Sequence, residues 1–340
     1  MSTFLLEIGA EELPPKALDA MVTGLAEALA DALREARLEF SDVVPFATPR
    51  RLAVQVRGLA SAQADREVER RGPPVKVAFD QDGAPTKAAQ KFADGCGVAV
   101  AALERIETPK GAWLVYRATE RGLPAPEVIA GQLARVVDAI AVPRRMRWGA
   151  TDHAFSRPVR WLVALLDDNV VPSEVLGCAA GRQTFGHRFH GPEGGITLAH
   201  ADDYEAALAE AHVVASFRQR REQVRAAIEE TSREAGARAL VDPDLLDEVT
   251  ALVELPVAVL ARFDEDFLQL PREVIVATLQ EHQRYFPLTD ASGHLTAAFI
   301  TIANVRSKDP QEVRRGNERV VTPRLADAAF FWQTDSQRSL

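Results

Sequence analysis

Three short runs in this chain bring together side chains that could do chemistry. Glu281-His282-Gln283-Arg284-Tyr285-Phe286-Pro287 packs an imidazole, an amide, a guanidinium and a phenol into one stretch. Such a set suits a polar pocket in which His282 and Tyr285 exchange protons and Arg284 holds an anion, with Gln283 beside them. The structural alternative is a strand entry, with Tyr285 or Phe286 in the core and Arg284 paired to a neighbour. Gly186-His187-Arg188-Phe189-His190-Gly191-Pro192 sets two imidazoles three residues apart, but flanking glycines and a proline make it a loop or strand end. A metal site would need ligands that are not nearby, so no metal is assigned. What remains open is a hydrogen-bonding or RNA-contacting role for His187 and Arg188, or a structural loop. Arg144-Arg145-Met146-Arg147-Trp148-Gly149, followed by Arg157, Arg160 and Trp161, interleaves guanidinium groups with indoles. That combination serves single-stranded RNA through phosphate pairing and base stacking. Its alternative is a solvated basic face with the tryptophans in the core. Pro49-Arg50-Arg51, with Arg70-Arg71 and Lys76, forms a second basic set.

Several common machineries are missing. There is no Gly-x-x-x-x-Gly-Lys-[Ser/Thr] loop, no strand followed by Gly-x-Gly-x-x-Gly, no Gly-x-Ser-x-Gly elbow and no His-Glu-x-x-His. Cys96 and Cys178 have neither ligand spacing nor a disulfide framework, and read as small hydrophobes in a reducing compartment. Adjacent carboxylates such as Glu11-Glu12 and Asp202-Asp203 do not face one another. The latter pair suits a helix amino-terminus.

The elements that must position these runs alternate between helix and strand. Phe4 to Ile8 reads as a strand, the segment from Lys16 to Arg37 as an Ala/Leu-rich helix, and Leu52, Val54 and Val56 as an alternating strand. Arg71 to Pro85 is expected to be a loop or hairpin, followed by a short helix that Gly95 and Gly97 terminate. Trp113 to Arg117 is a strand and Pro126 to Ile140 a helix. Val159 to Leu166 and Val170-Val171 are strands joined by the tight turn Asp167-Asp168-Asn169. Helices are expected at 201–211, 217–235, 271–279 and 325–331, and strands at 257–262 and 299–303. The fold class is α+β, with mixed antiparallel sheets and helices.

A chain of 340 residues is long enough for two or three domains. Its formal charge of −9 weighs against a nucleic-acid partner only until its distribution is considered. Residues 1–190 carry 24 basic and 24 acidic side chains, so the deficit lies beyond them. Within this neutral part, residues 43–76 hold 7 basic and 3 acidic groups. The division expected is a region 1–195 with the basic clusters and an acidic region 196–340. No basic, apolar leader is visible at the start, and the run Trp161 to Leu166 is too short to span a bilayer, so a cytoplasmic protein is expected, with no membrane partner.

Taken together and in order, several segments resemble the β subunit of bacterial glycyl-tRNA synthetase over essentially the whole chain. The landmarks are Glu7-Ile8-Gly9-Ala10-Glu11-Glu12-Leu13-Pro14-Pro15-Lys16, Thr48-Pro49-Arg50-Arg51-Leu52-Ala53, Lys87-Ala88-Ala89, Met146-Arg147-Trp148-Gly149, Gly186-His187-Arg188-Phe189, His282-Gln283-Arg284-Tyr285-Phe286, Ala303-Asn304-Val305, Gly316-Asn317-Glu318-Arg319-Val320 and Arg324-Leu325-Ala326-Asp327-Ala328. Ala10 stands where the family usually has threonine. Family members run to about twice this length and continue into a helical domain of the HD-phosphohydrolase type and an anticodon-binding domain, so the chain is expected to be the amino-terminal half. The resemblance implies a division of labour. An α subunit uses ATP and Mg to make the adenylate, and the β subunit binds tRNA of the glycine type, in a hetero-oligomer of two α and two β. Part of this half is similar to the editing-type domain of the large subunit of phenylalanyl-tRNA synthetase. No catalytic residue or cofactor is assigned to this chain. Arg50, Arg51, Arg144, Arg145, Arg147, His187 and Arg188 are the candidate RNA contacts, and His282, Gln283, Arg284 and Tyr285 the candidate pocket. A trans-editing hydrolase of mischarged tRNA and a structural scaffold for the tetramer are the alternatives.

Overall fold

The structure is a computed structural model that describes residues 1–109 and 111–337. Along the chain come strand β1 (Ser2–Ala10), helix α1 (Leu18–Glu35), and strands β2 (Asp42–Thr48) and β3 (Arg51–Leu59). An excursion follows, with β4 (Arg66–Pro74), α2 (Lys87–Cys96), β5 (Glu104–Thr108) and β6 (Gly111–Glu120). Helix α3 (Ala125–Asp138) and strands β7 (Val159–Leu166) and β8 (Cys178–Gly181) complete the first unit. Its sheet has seven strands. The order is Glu174–Val175, β8, β7, β1, β3, β2, with Asn169–Val170 also on β7. Only the β8–β7 pairing is parallel.

Strand β1 is apolar along nearly its whole length because both of its faces are covered. Phe4, Leu6 and Ile8 pack under α1 and α3 with Leu25, Leu29 and Ile129. Leu5 faces the other way, against Trp161, Val163, Leu165, Tyr204 and Leu208. The residues that close this second face lie at 198–215, beyond the expected division at 195/196, on a layer that includes helix α4 (Tyr204–Glu210). The excursion forms a three-stranded sheet, β4–β6–β5, and a bridge between Ala62 and Pro124 ties its stem. The stretch 71–85, expected as a loop or hairpin, holds the end of β4 to Pro74, where Arg71 pairs with Val115, then a helical turn, Val75–Ala78, and a turn closed by an antiparallel bridge between Phe79 and Pro85.

The second unit comprises α5 (Phe217–Glu234), α6 (Pro243–Thr250), β9 (Val257–Arg262), β10 (Phe286–Thr289), β11 (Leu295–Ala303) and α7 (Pro310–Ser336). Its antiparallel sheet has the order Arg238–Ala239, β10, β11, β9. Helices α5 and α6 bury Val224, Ile228, Leu246 and Val249 against one face. Val321 and Leu325 of α7 join Tyr285 and Phe299 on the other. Gly316 and Pro323 read in sequence as breakers, yet α7 is continuous through both. Asp309 caps its first turn by accepting from the Gln311 and Glu312 amides, and helix packing at Val321 and Leu325 overrides local propensity.

Candidate nucleic-acid interface

The two units meet at a buried polar junction that two of the expected site residues, Arg51 and His187, enter. Glu7 shares a face of β1 with Leu5 and Gly9, and its cross-strand neighbours are Ala53 and Val163. Gly9 lies between Arg51 and Trp161 on that face. A Cβ at Gly9 would sit 1.8 Å from the Trp161 ring, so only glycine lets the indole lie there. Arg51 is fully buried and its Nη1 lies 3.3 Å from Glu7 Oε1, while Nη2 lies 3.1 Å from Glu254 Oε1. Two hydroxyls complete the cage. Thr48 accepts from Arg51 Nε and donates to Glu254, and Thr184 accepts from Arg51 Nη1 and donates to Glu7.

A second buried guanidinium balances the charge. Arg220 of α5 donates to the carbonyls of Thr250, Val214, Ala215 and Ala47, tying the second unit to β2. Two carboxylates and two guanidinium groups are thus buried together, where an unpaired charge would be costly. Burial pulls Arg220 down to about 9, opposed by Glu254. It also pushes the Glu7 carboxyl above its ordinary range, opposed by Arg51. The Arg51 guanidinium stays charged because Glu254 and Glu7 together outweigh its desolvation.

Arg51 therefore cannot be an RNA contact: its guanidinium never reaches solvent. His187 is corrected for the same reason. It is 2% exposed, and its Nε2 donates to the Asn304 carbonyl at 2.7 Å while Nδ1 accepts the Phe189 amide. The Asn304 side chain in turn accepts the backbone amides of Glu254 and Leu255. Landmark runs far apart in sequence, around Glu7, Arg51, His187 and Asn304, thus converge on this junction.

At its rim the picture differs. Glu11 leaves β1 where β7 enters, its amide bonded to the Pro158 carbonyl. Arg160 and Arg188 both reach the Glu11 carboxylate, at 3.5 and 3.2 Å, and Arg188 also reaches Glu12 at 3.7 Å. Arg50 is half-buried over the Trp161 ring, close enough to feel the charges of Arg188 and Glu11. Arg144, Arg145 and Arg147 are exposed on the segment between α3 and β7. Arg145 donates to the Asp138 carbonyl, Arg147 pairs with Asp152 at 3.4 Å, and among the described residues Arg144 makes no ion pair. The indoles that accompany these arginines turn inward: Trp161 is buried and Trp148 is partly buried against the core.

The expected pocket is split by the backbone. Thr278–His282 forms a π-helical turn, and Arg284 takes a left-handed conformation with φ of 59°. His282 and Arg284 consequently line a groove of about 850 Å³ beside Lys16 and Phe217. Tyr285 is turned the other way, stacked on Phe299 and donating to Asn317 Oδ1 at 2.6 Å, and Gln283 does not line the groove either. Proton exchange between His282 and Tyr285 is thereby removed as a mechanism. The groove is acidic, with Asp19, Asp242, Asp244, Asp247, Glu248 and Glu281 around two cations, and Arg284 is already held by Glu248 at 3.0 Å.

Glu7, Glu254 and Arg220 were not singled out by sequence reasoning. Their signal was present: Glu7 interrupts Phe4-Leu5-Leu6 and Ile8, and Glu254 interrupts Leu252-Val253 and Leu255. A lone charge inside an apolar run calls for a buried partner. Among the described residues no group of three or more His, Cys, Asp or Glu could hold a metal ion, and no helix is long and apolar enough to cross a membrane.

The chain is an α+β protein whose two sheets are joined by a buried ionic junction, with Arg160 and Arg188 exposed at its rim. The chain belongs to the glycyl-tRNA synthetase beta subunit family, whose model matches residues 4–340. It is 50% identical over 336 residues to the glycine--tRNA ligase beta subunit of Chromohalobacter salexigens, covering 99% of this chain and 48% of that protein. The protein of the same description from Marinobacter nauticus is 47% identical over 339 residues, covering 99% and 49%. The chain thus spans about half the length of the curated relatives it matches.

Proposed function

We propose that this chain is the part of a glycine–tRNA ligase β subunit that holds the acceptor region of tRNA of the glycine type, for glycylation carried out by an α subunit. The observation that carries the reading is the exposed set Arg144, Arg145 and Arg147, which has one weak acidic partner and no structural duty in the core. Guanidinium groups so placed pair with phosphates and release counterions. ATP and Mg are used on the α subunit, and the working assembly is a cytoplasmic hetero-oligomer of two α and two β chains. The region 196–340 continues a part related to the editing-type domain of the phenylalanyl-tRNA synthetase large subunit. The trans-editing alternative is weakened by the groove at His282, whose six carboxylates oppose an RNA backbone. A scaffold-only role leaves the solvent-facing arginines without a purpose.

The test is tRNA affinity as a function of salt for the wild type and for the variant Arg144→Ala/Arg145→Ala/Arg147→Ala. Three lost phosphate contacts should lower the slope of log affinity against log salt by about 2 to 3, along with the affinity itself. Equal affinity and slope in a folded variant would refute the assignment of this loop.

A further inference from the structure

Phe189 is the most exposed aromatic ring among the described residues, 74% open to solvent. Chance does not explain its position, because the loop carrying it is held on every side. The His187 amide donates to the Ala211 carbonyl, the Gly191 amide to the His187 carbonyl, and the Arg306 amide to His190 Nε2. With His187 Nε2 donating to Asn304, both units anchor the loop. A Cβ at Gly191 would lie 2.7 Å from the His187 carbonyl oxygen, so the turn closes only with glycine there. The loop therefore holds Phe189 out instead of letting it fold back onto apolar surface. Next to it stands Arg188, with Arg160 sharing Glu11 and Arg50 close by.

We propose that the loop 186–191 is a nucleotide platform. One unpaired base of an RNA strand stacks on Phe189, and its flanking phosphate takes the place of the Glu11 carboxylate between Arg160 and Arg188. The shape fits a single strand, because one free ring face accommodates any base and two guanidinium groups converge on one anion. Glu11 is then a placeholder that keeps the arginine pair ordered until RNA arrives. The inference rests on the tRNA-binding reading and sharpens it to an unpaired segment.

The experiment measures fluorescence anisotropy with two labelled probes, tRNA of the glycine type and a short single-stranded RNA oligonucleotide. Phe189→Ala should weaken the oligonucleotide by about tenfold or more, as expected for loss of one base stack. Phe189→Trp should retain affinity, and its emission should be quenched on binding, which a merely structural role would not produce. Glu11→Gln should strengthen binding by freeing the arginine pair. Melting curves should stay unchanged in Phe189→Ala, since that ring packs against little. If wild type binds tRNA but Phe189→Ala matches it on both probes, the platform is overturned while the tRNA reading stands. If Phe189→Ala instead loses only α-subunit association, the ring is a protein contact and the platform is likewise overturned. Failure of the wild type to bind either probe overturns both.

Discussion

Replacing Arg51 by methionine tests the junction directly. The guanidinium touches Glu7, Glu254, Thr48 and Thr184 at 3.1 to 3.3 Å, and every partner is buried. Methionine restores much of the volume but none of the charge, leaving two buried carboxylates with Arg220 as their nearest buried cation. Removing one partner of such a pair costs about 3 to 5 kcal/mol. With a urea slope of about 3 kcal/mol/M, the midpoint of the junction's unfolding should fall by about 1 to 1.7 M. The deficit should also depend on pH. Burial already raises the Glu7 carboxyl, and Arg51 is the main opposing influence, so its removal raises that carboxyl further. A group with a folded pKa above its unfolded value contributes stability at low pH and loses it as pH rises through the folded value. The variant should therefore lose more stability at about pH 8 than at about pH 5.5. Urea titrations followed by far-ultraviolet circular dichroism at both pH values would decide it. A deficit under about 1 kcal/mol at the higher pH, or one that shrinks as pH rises, would refute a charged, mutually dependent junction.

Two further outcomes follow from the same geometry. Gly9→Ala forces a methyl into the Trp161 ring at 1.8 Å and should lower stability by about 1 to 3 kcal/mol with a shift in tryptophan emission; an unchanged calorimetric midpoint would contradict the packing. His190 accepts the Arg306 amide only when neutral, and desolvation, together with the cationic tendency of its surroundings, the His187 and His212 imidazoles and the Arg306 guanidinium, holds its pKa below the ordinary value. Because the unfolded chain then binds the proton more readily, the contact contributes above the ordinary histidine range and is lost as pH falls through the folded value. An imidazole titration by nuclear magnetic resonance should show a depressed midpoint coincident with loss of Arg306 amide protection; an ordinary or raised midpoint would count against the loop anchorage.

The fold was legible where hydrophobic pattern and turn chemistry agree. Strand β7, its tight turn, and helices α1, α3 and α5 follow from periodicity, and β9 matches its expected span. Misreadings arose where tertiary contacts override local signals. Arg66–Pro74 is polar and proline-ended, yet pairs along β6 because that edge needs a partner. Helix α7 passes through Pro323 because Val321 and Leu325 are buried. The split of His282, Arg284 and Tyr285 was not legible, because it depends on a π-helical turn and one left-handed residue.

The arginines show why a site is harder to read than a fold. Arg50 and Arg51 are adjacent, and sequence treats them alike. Strand geometry does not: Arg51 lies on the face that packs against the second layer, while Arg50 sits in the turn before it. What buries the Arg51 guanidinium is its supply of buried carboxylates. Glu7 and Glu254 come from positions 44 and 203 residues away from Arg51, so no local window contains the pairing. Once Arg51 and Arg220 are assigned to the junction, Arg188 is left exposed on a loop that the junction helps to hold in place. His187 bridges the junction and the loop. By donating to Asn304 it closes the interior, and by accepting the Phe189 amide it sets the backbone that presents Arg188 and Phe189. The buried network thus sets the shape of the surface loop, and damage to it should disturb the backbone that presents Arg188 and Phe189 before the fold itself is lost.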